Sequence, residues 1–448
     1  MPKWISYSLL IISLAGYFVS GYFIDRRDFG QLITVYTILF LAYFVFLSYR
    51  DRSNLNNLIA AGLLFRFILV FSVPALSDDF YRFLWDGHIQ HLGFNPFDFT
   101  PRQLLNQYSD PYLQQLFPKL NSPDYYSVYP QLCQTLFKLA ASIAGESIQE
   151  NIIVLKSVLF LSELGSIFLL QKLLSAKNLN PNLSLYYILN PLVIIELTGN
   201  IHFEAIMIFF MLLAAWYIHK QKQISSASAM TLAIQAKLIP IIAIPLLIKE
   251  IGFRKTVWYS LACLLLMCFL SSGLLNTPER FFHFFESLQL YFGKFEFNGS
   301  LYIVFRSIGW WMLDYNPIAV LSKIMLVLSL TGMLYIYYRK MNLLSGFFWL
   351  LIVYLGCSAI VHPWYLSPLI ALSAFVRYRF VLIWSALIPL TYITYSSIPY
   401  NENYWLVGLE YLVTLGWFIW EYNRMNTLRS VPGKAFILHK NPVGLQNN

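Results

Sequence analysis

The chain has 448 residues, of which 58% are hydrophobic and 12% are charged, and its formal net charge is +9. Soluble domains carry about 25% charged residues, so the composition excludes a soluble globular protein. The basic residues lie in short loops between apolar runs, which is the distribution of a polytopic membrane protein and not of a nucleic-acid-binding protein.

Apolar runs long enough to cross about 30 Å of hydrocarbon recur along the chain. They predict an all-α polytopic membrane protein with about twelve transmembrane helices. We expect one membrane domain over residues 1–424 and a basic cytoplasmic tail over 425–448. The expected spans are residues 5–23, 32–47, 58–74, 152–174, 183–198, 203–219, 257–275, 318–338, 343–361, 364–376, 381–397 and 405–422.

Residues 225–248 are also long enough to span a membrane, but Lys237 and Pro240 interrupt them. Basic residues flank both ends, so we expect both ends on the cytoplasmic side and a re-entrant hairpin between them. The buried lysine then either pairs with a carboxylate inside the bundle or extends to the cytoplasmic surface, and a structural role is favoured.

The excess of Lys and Arg in the short loops predicts that both termini are cytoplasmic. Two longer segments, residues 75–151 and 276–313, then lie on the non-cytoplasmic face. Within the first we expect a helix over Asp79–Gln90. A second helix over Gln131–Ala144 should lie in the membrane interface, because it is apolar on one side and carries Gln134 and Lys138 on the other.

Two adjacent carboxylates, Asp78 and Asp79, directly follow the third apolar run. A helix beginning at Asp79 places Arg82 and Asp86 on the same face. A carboxylate can accept the proton of an attacking hydroxyl, so the pair is a candidate general base. The structural alternative is helix capping with an ion pair to Arg82, and for Asp86 an Asp-Gly turn is favoured.

Three further polar groups fall on the same predicted side as the carboxylates, so we expect them to converge. His362 could donate to a phosphate or merely bond a carbonyl, and Glu204 could simply favour a helix N-terminus. Basic residues of the second outer segment could attract an anionic headgroup. No nucleotide motif or metal-ligand spacing is present, so no cofactor is expected and a divalent metal is left open. The groups are Asn200, His202 and Glu204; Arg280, Lys294 and Arg306; and His362 with Trp364.

The segment Ser77–Phe99, SDDFYRFLWDGHIQHLGFNPFDF, resembles the first-loop motif of bacterial polytopic mannosyltransferases of the GT-C class, which use polyprenyl-phosphate sugars. The likeness covers about residues 58–376, although two spans precede the motif-bearing one and many class members begin with it. Shorter pieces are similar in the same order: Val128–Gln131, Leu189–Leu192, Gly199–Glu204, Ala236–Pro240 and His362–Tyr365.

The resemblance implies a GT-C bundle in a cell membrane, expected to be a bacterial inner membrane, with its site on the non-cytoplasmic face. It implies inverting transfer of a sugar, with mannose as the default, from a polyprenyl-phosphate donor to a glycolipid or glycan. Asp79 best matches the general base and Asp78 is second. The candidate substrate-binding residues are Arg82, Asp86, Tyr129, Asn200, His202, Glu204, Arg280, His362 and Trp364.

Two other functions remain open. A lipid-linked glycan polymerase or ligase would transfer a whole oligosaccharide. A transporter or flippase would typically show inverted repeats and charges near the membrane midplane, whereas the polar motifs identified here cluster at one face.

Overall fold

The computed structural model describes residues 2–293, 295–315 and 318–430. This part of the chain is all-helical, with 78% of residues in helices and no strand. Lys294 and residues 431–448 of the expected tail lie outside the described residues. The predicted all-α class is therefore confirmed.

Three helices begin the chain and coincide with the first three predicted spans. Asp28 and Asn54 cap the second and third by accepting hydrogen bonds from backbone N–H groups of their first turns, as is usual for these residue types. The helices are α1 (Lys3–Tyr22), α2 (Phe29–Ser48) and α3 (Leu55–Val70).

The segment after α3 folds into four helices. Both predicted helices are confirmed: the first begins at Asp79, and the last has the predicted bounds. The first ends before Gly93, whose φ of +93° is one that favours glycine. The four are α4 (Asp79–His91), α5 (Pro101–Gln107), α6 (Pro111–Leu116) and α7 (Gln131–Ala144).

Two details of this segment differ from the predictions. Asp86 and Gly87 do not form a turn but lie in the middle of α4, where Gly87 allows close packing on α7: an added Cβ would lie 2.4 Å from the Phe137 carbonyl oxygen. Gln134, predicted on the polar side of α7, is buried with 1% exposure. It faces α4 because it hydrogen-bonds the Asp86 carboxylate there.

The middle of the chain contains one long helix followed by a broken one. Pro191 and a π-helical turn at Ile194–Gly199 interrupt the predicted fifth span, and the chain then bends by 110° into the next helix. The elements are α8 (Ile148–Ala176), α9 (Leu185–Ile188), α10 (Pro191–Val193) and α11 (Glu204–His219).

The next segment runs out and back, which is the path predicted for a hairpin. Its first arm packs along α11 and ends at Lys237, beside Glu204 at the start of α11. A 3₁₀ segment, Ile239–Leu246, leads back. The α-helices of this part are α12 (Gln223–Ala236), α13 (Leu247–Ile251) and α14 (Phe253–Leu270).

The remaining helices complete the bundle, with 3₁₀ segments joining the last four. They are α15 (Ser272–Leu275), α16 (Pro278–Gly293), α17 (Ser300–Leu313), α18 (Ile318–Tyr338), α19 (Leu343–Gly356), α20 (Ser367–Leu372), α21 (Phe380–Leu387) and α22 (Tyr404–Ser430).

The predicted count of about twelve spans is not confirmed. In the described residues, five helices are long and apolar enough to cross a membrane, or six if the bent pair counts as one span. Part of the difference arises because Pro191 and Pro389 interrupt the predicted spans 183–198 and 381–397, as expected for a residue without a backbone donor. In addition, α3 and α19 have only 16 and 14 residues.

Buried charges fix α3 against α8. Arg66 forms a fully buried ion pair with Glu163, and Lys156 donates to the carbonyl oxygens of Leu69 and Ser72 at 2.8 and 2.7 Å. Intramembrane ionisable residues usually pair in this way. The contacts hold the end of α3 in place, and with it the segment that carries the predicted carboxylates.

Candidate functional site

Asp79 lies at the first turn of α4, on the wall of a cleft. Its Oδ1 accepts a hydrogen bond from Asn121 Nδ2 at 2.7 Å, and no other side chain of the described residues donates to this carboxylate. The helix N-terminus stabilises its negative charge. The cleft is lined by Asp79, Arg82, Asn121, Ser122, Tyr125, Tyr126, Val128, Tyr129, Ser287 and Phe295.

Asp78 is engaged differently from its neighbour. It forms an ion pair with Arg26, from the loop between α1 and α2. The Arg26 guanidinium also stands 4.9 Å from the centre of the Tyr395 ring. Neither carboxylate pairs with Arg82, so the structural alternative of an ion pair with that residue is wrong.

Arg82 instead holds Asp86, four residues later on α4. Arg82 Nε donates to Asp86 Oδ1 at 2.7 Å, and the other carboxylate oxygen accepts from Ser127 Oγ at 2.5 Å and from Gln134 Nε2 at 2.9 Å. Asp86 is fully buried. Arg82 also donates to the Tyr125 carbonyl at 2.9 Å. This pair therefore shapes the cleft wall, and Asp86 itself has no open face.

Tyr129 reaches the cleft from an aromatic cluster. Its ring packs edge-on against Phe83 and Phe137, with centroid distances of 4.9 and 5.5 Å. Phe203, from the turn before α11, packs on both phenylalanines. This aromatic cluster joins the first loop to the turn that carries Asn200 and His202.

Asn200 connects the end of α3 to that same turn. Its Oδ1 accepts hydrogen bonds from the backbone N–H groups of Ala75 and Leu76 at 3.1 and 2.9 Å, and its Nδ2 donates to the Ile195 carbonyl. These bonds occupy the amide on both sides. Asn200 therefore positions the segment that leads to Asp78 and Asp79.

His202 stacks on an indole ring, and one of its ring nitrogens approaches a carboxylate. Its ring stacks on Trp364 at 3.8 Å, and its Nε2 lies 3.5 Å from Glu196 Oε2. Glu196 belongs to the π-helical turn and accepts hydrogen bonds from the hydroxyls of Tyr36 and Tyr392 at 3.0 and 2.7 Å. Isolated π-helical turns are frequent at functional sites.

Glu204 and Lys237 form an ion pair of 3.0 Å at the turn of the hairpin. The carboxylate is buried, whereas the lysine side chain remains 30% exposed, and its Nζ stands 5.7 Å from the centre of the Tyr365 ring. The ammonium is also close enough to Asp79 to interact with it electrostatically. Of the two expectations for Lys237, pairing with a carboxylate is thus confirmed.

His362 extends the same stack from the loop after α19. Its ring lies 4.4 Å from Trp364 and 4.7 Å from Phe297. Burial, with smaller electrostatic contributions from His202 and Lys237, lowers the pKa of His362 to about 3. The imidazole is therefore neutral at physiological pH and has one donor and one acceptor nitrogen.

Arg280 lies apart from these groups. Its guanidinium forms a bidentate pair with Asp98, at 2.6 and 2.8 Å, and donates to the Gly273 carbonyl. It thereby fastens α16 to the first loop. Arg306 similarly pairs with Glu296 at 2.9 Å, so neither cation converges on Asp79.

Three of the four predicted polar groups thus meet at one end of the bundle, and part of the second loop joins them through Phe297. Sequence reasoning missed Arg26, Asn121 and Glu196. For Glu196 a signal was available, because a carboxylate within an apolar run is rarely without a function.

Several buried polar atoms at this end have no hydrogen-bond partner among the described residues: His202 Nε2, Glu204 Oε2 and His362 Nδ1. Buried polar groups are normally paired, so such exceptions indicate the place of a polar ligand. Together the groups offer a partly exposed carboxylate, a partly exposed ammonium and aromatic faces. That set can accept a proton, bind an anion and hold a sugar or lipid headgroup.

Comparison with known proteins identifies a protein family. No curated protein and no solved structure matches the chain. Residues 29–251, which run from the start of α2 to the end of α13, match the family described as "Alpha-(1->6)-mannopyranosyltransferase, N-terminal domain". This range contains Asp78, Asp79 and the Glu204–Lys237 pair. The chain is thus a GT-C-type membrane mannosyltransferase that carries the N-terminal domain of the alpha-(1->6)-mannopyranosyltransferase family.

Proposed function

We propose that this mannosyltransferase moves mannose from a polyprenyl-phosphate donor to a hydroxyl of a glycolipid or glycan on the non-cytoplasmic face. The acceptor oxygen attacks the anomeric carbon from the side opposite the phosphate. The bond from that carbon to the phosphate oxygen breaks, polyprenyl phosphate leaves, and the configuration inverts. The acceptor's proton passes to the Asp79 carboxylate, which acts as general base.

The position of Asp79 is the single observation that carries this proposal. Its carboxylate is on the cleft wall, is partly exposed and accepts one hydrogen bond, from Asn121. Asp78 is the weaker candidate because Arg26 neutralises its charge. A general base must reach the acceptor hydroxyl within about 2.6–3.2 Å, and Asp79 lines the cleft through which an acceptor would approach.

Lys237 supports a phosphate-bearing donor. Its ammonium is partly exposed between the Glu204 carboxylate and the Tyr365 ring, and it interacts with Asp79. Its positive charge can stabilise the negative charge that develops on the leaving phosphate. Neutral His362, with its unpartnered Nδ1, offers a second polar contact.

The distribution of charge supports a non-cytoplasmic site. Arg50 and Arg379 both stand over the Tyr186 ring, at 5.7 and 4.6 Å. The 16 residues of α3, about 24 Å of helix, separate Arg52 from the end that leads to Asp78. Short basic loops mark the cytoplasmic side. A nucleotide sugar in the cytoplasm would not reach the opposite end, whereas a lipid-linked sugar diffuses to it within the membrane.

The test is a transfer assay in proteoliposomes that contain the purified chain. Radiolabelled polyprenyl-phosphate mannose and a mannosylated acceptor lipid are supplied, and both products are followed. The proposal predicts labelled acceptor and free polyprenyl phosphate in equal amounts. Movement of intact donor across the bilayer without cleavage would identify a flippase. Transfer only from an oligosaccharide-bearing lipid would identify a ligase or polymerase.

A further inference from the structure

Three side chains of the first loop converge at a place away from the cleft. His88 lies on α4, Asp110 directly precedes α6, and Glu146 lies in the turn between α7 and α8. One ligand atom of each is within 4.8 Å of those of the other two. His88 is nine residues after Asp79 on the same helix, about 13.5 Å along its axis, so this cluster is separate from the proposed catalytic site.

The buried nitrogen of the cluster has no hydrogen-bond partner in the part of the chain that the structure describes. The His88 side chain is 5% exposed, and its Nε2 forms no hydrogen bond among the described residues although Asp110 Oδ1 is 3.3 Å away. A buried imidazole nitrogen that faces two carboxylates and bonds neither is unusual, because buried polar groups are normally satisfied.

A second unpartnered group lies beside it. The Tyr112 hydroxyl is buried without a hydrogen-bond partner among the described residues, and its ring is 4.8 Å from the His88 ring. Two unpartnered polar groups, an imidazole and a phenol hydroxyl, therefore lie side by side at this cluster.

We propose that His88, Asp110 and Glu146 bind a divalent cation of the zinc type. Imidazole and carboxylate oxygen are both zinc ligands, with metal-to-ligand distances of about 2.0–2.2 Å. Two ligands of a tetrahedral ion at those distances are about 3.4 Å apart, which agrees with the 3.3 Å between His88 Nε2 and Asp110 Oδ1. Glu146 is exposed, and water would complete the coordination.

The cation would hold together three parts of the first loop. Asp110 also caps α6 by accepting from the Leu113 N–H at 2.8 Å, so its position is already fixed. The ion would fasten that cap to α4 and to the start of α8. The loop that follows α6 supplies Asn121 and Tyr129 of the cleft. The metal would therefore stabilise the structure of the first loop and would not take part in the reaction.

Zinc binding to the full chain tests the proposal. The chain, purified in detergent without a polyhistidine tag and stripped with a chelator, is titrated with Zn²⁺ alone and its metal content measured. We expect one Zn²⁺ per chain. His88→Gln and Glu146→Gln should weaken binding by more than the roughly 10–100-fold that loss of an outer-shell partner costs. Zn²⁺ should also raise the melting temperature of the wild type.

Glu150→Gln is the matched control, because Glu150 is an exposed glutamate at the start of α8. It should bind Zn²⁺ and be stabilised by it as the wild type is. Glu146 is itself exposed, so its variant keeps the test decisive even if His88→Gln does not fold. If the wild type binds no stoichiometric zinc, or Glu146→Gln binds it equally well, the three side chains do not form a metal site and the proposal is overturned.

Discussion

Asp86→Asn should destabilise the protein far more than any exposed carboxylate change in the same loop. Asp86 is fully buried and accepts hydrogen bonds from Arg82, Ser127 and Gln134. Asparagine keeps one acceptor oxygen but turns an amide donor toward these donors. It also leaves Arg82, whose side chain is 4% exposed, without a counter-charge.

The magnitude follows from the cost of breaking a buried ion pair. Removal of one partner typically costs about 3–5 kcal/mol, because the other charge stays buried and uncompensated. We therefore expect the free energy of unfolding to fall by about that amount, measured by titrating the detergent-solubilised chain with SDS and following its helical signal.

Asp124→Asn is the matched control. Asp124 pairs with Arg102 in the same loop, but their side chains are 56% and 53% exposed. Exposed pairs contribute little because water and salt screen them, so this variant should unfold close to the wild type. Equal, small effects of Asp86→Asn and Asp124→Asn would refute the assignment of Asp86 to a buried structural network.

Two further predictions concern packing and pH. Gly87→Ala should lower the melting temperature, because its Cβ would lie 2.4 Å from the Phe137 carbonyl oxygen; unchanged melting would mean that α4 and α7 can separate. Folding lowers the pKa of His362 from 6.5 to about 3. Below pH 6.5 the unfolded state therefore binds a proton that the folded state does not bind, so the free energy of unfolding decreases as the pH falls from 6.5 toward 3. At pH 5 the loss is about 2 kcal/mol. The free energy of unfolding of His362→Gln should change less between pH 7 and pH 5 than that of the wild type, and equal changes in the two proteins would contradict this prediction.

Local patterns allowed much of the site to be predicted. The helix start at Asp79, the bounds of α7 and the meeting of the first loop with His202 and His362 all follow from hydrophobic periodicity, turn residues and loop charge. The helix bounds depend on residues that are close in sequence. The meeting of the polar groups depends on the side of the membrane on which their loops lie.

Partners distant in sequence were not predictable. Asp78 is held by Arg26, 52 residues earlier, and Arg280 binds Asp98, 182 residues earlier. Such pairs depend on how helices pack, which a single sequence does not encode locally. The span count differed for another reason: hydropathy measures how apolar a run is, but not whether prolines such as Pro191 divide its helix.

The family assignment and the catalytic assignment rest on different grounds. The match to the mannosyltransferase family covers residues 29–251, and it leaves the base unassigned. That assignment depends on the contrast between two adjacent carboxylates, Asp78 in an ion pair and Asp79 on the cleft wall.

The most direct test of the central claim is the turnover of Asp79→Asn. The variant and Asp78→Asn are purified, shown to be folded and to bind polyprenyl-phosphate mannose, and compared in the proteoliposome transfer assay. Asparagine keeps the size of the side chain and its acceptor for Asn121 but cannot take a proton. We predict that Asp79→Asn lowers kcat by about 10²–10⁴-fold, the usual contribution of a general base, without loss of donor affinity, and that Asp78→Asn loses less. Wild-type turnover by folded Asp79→Asn would contradict the account.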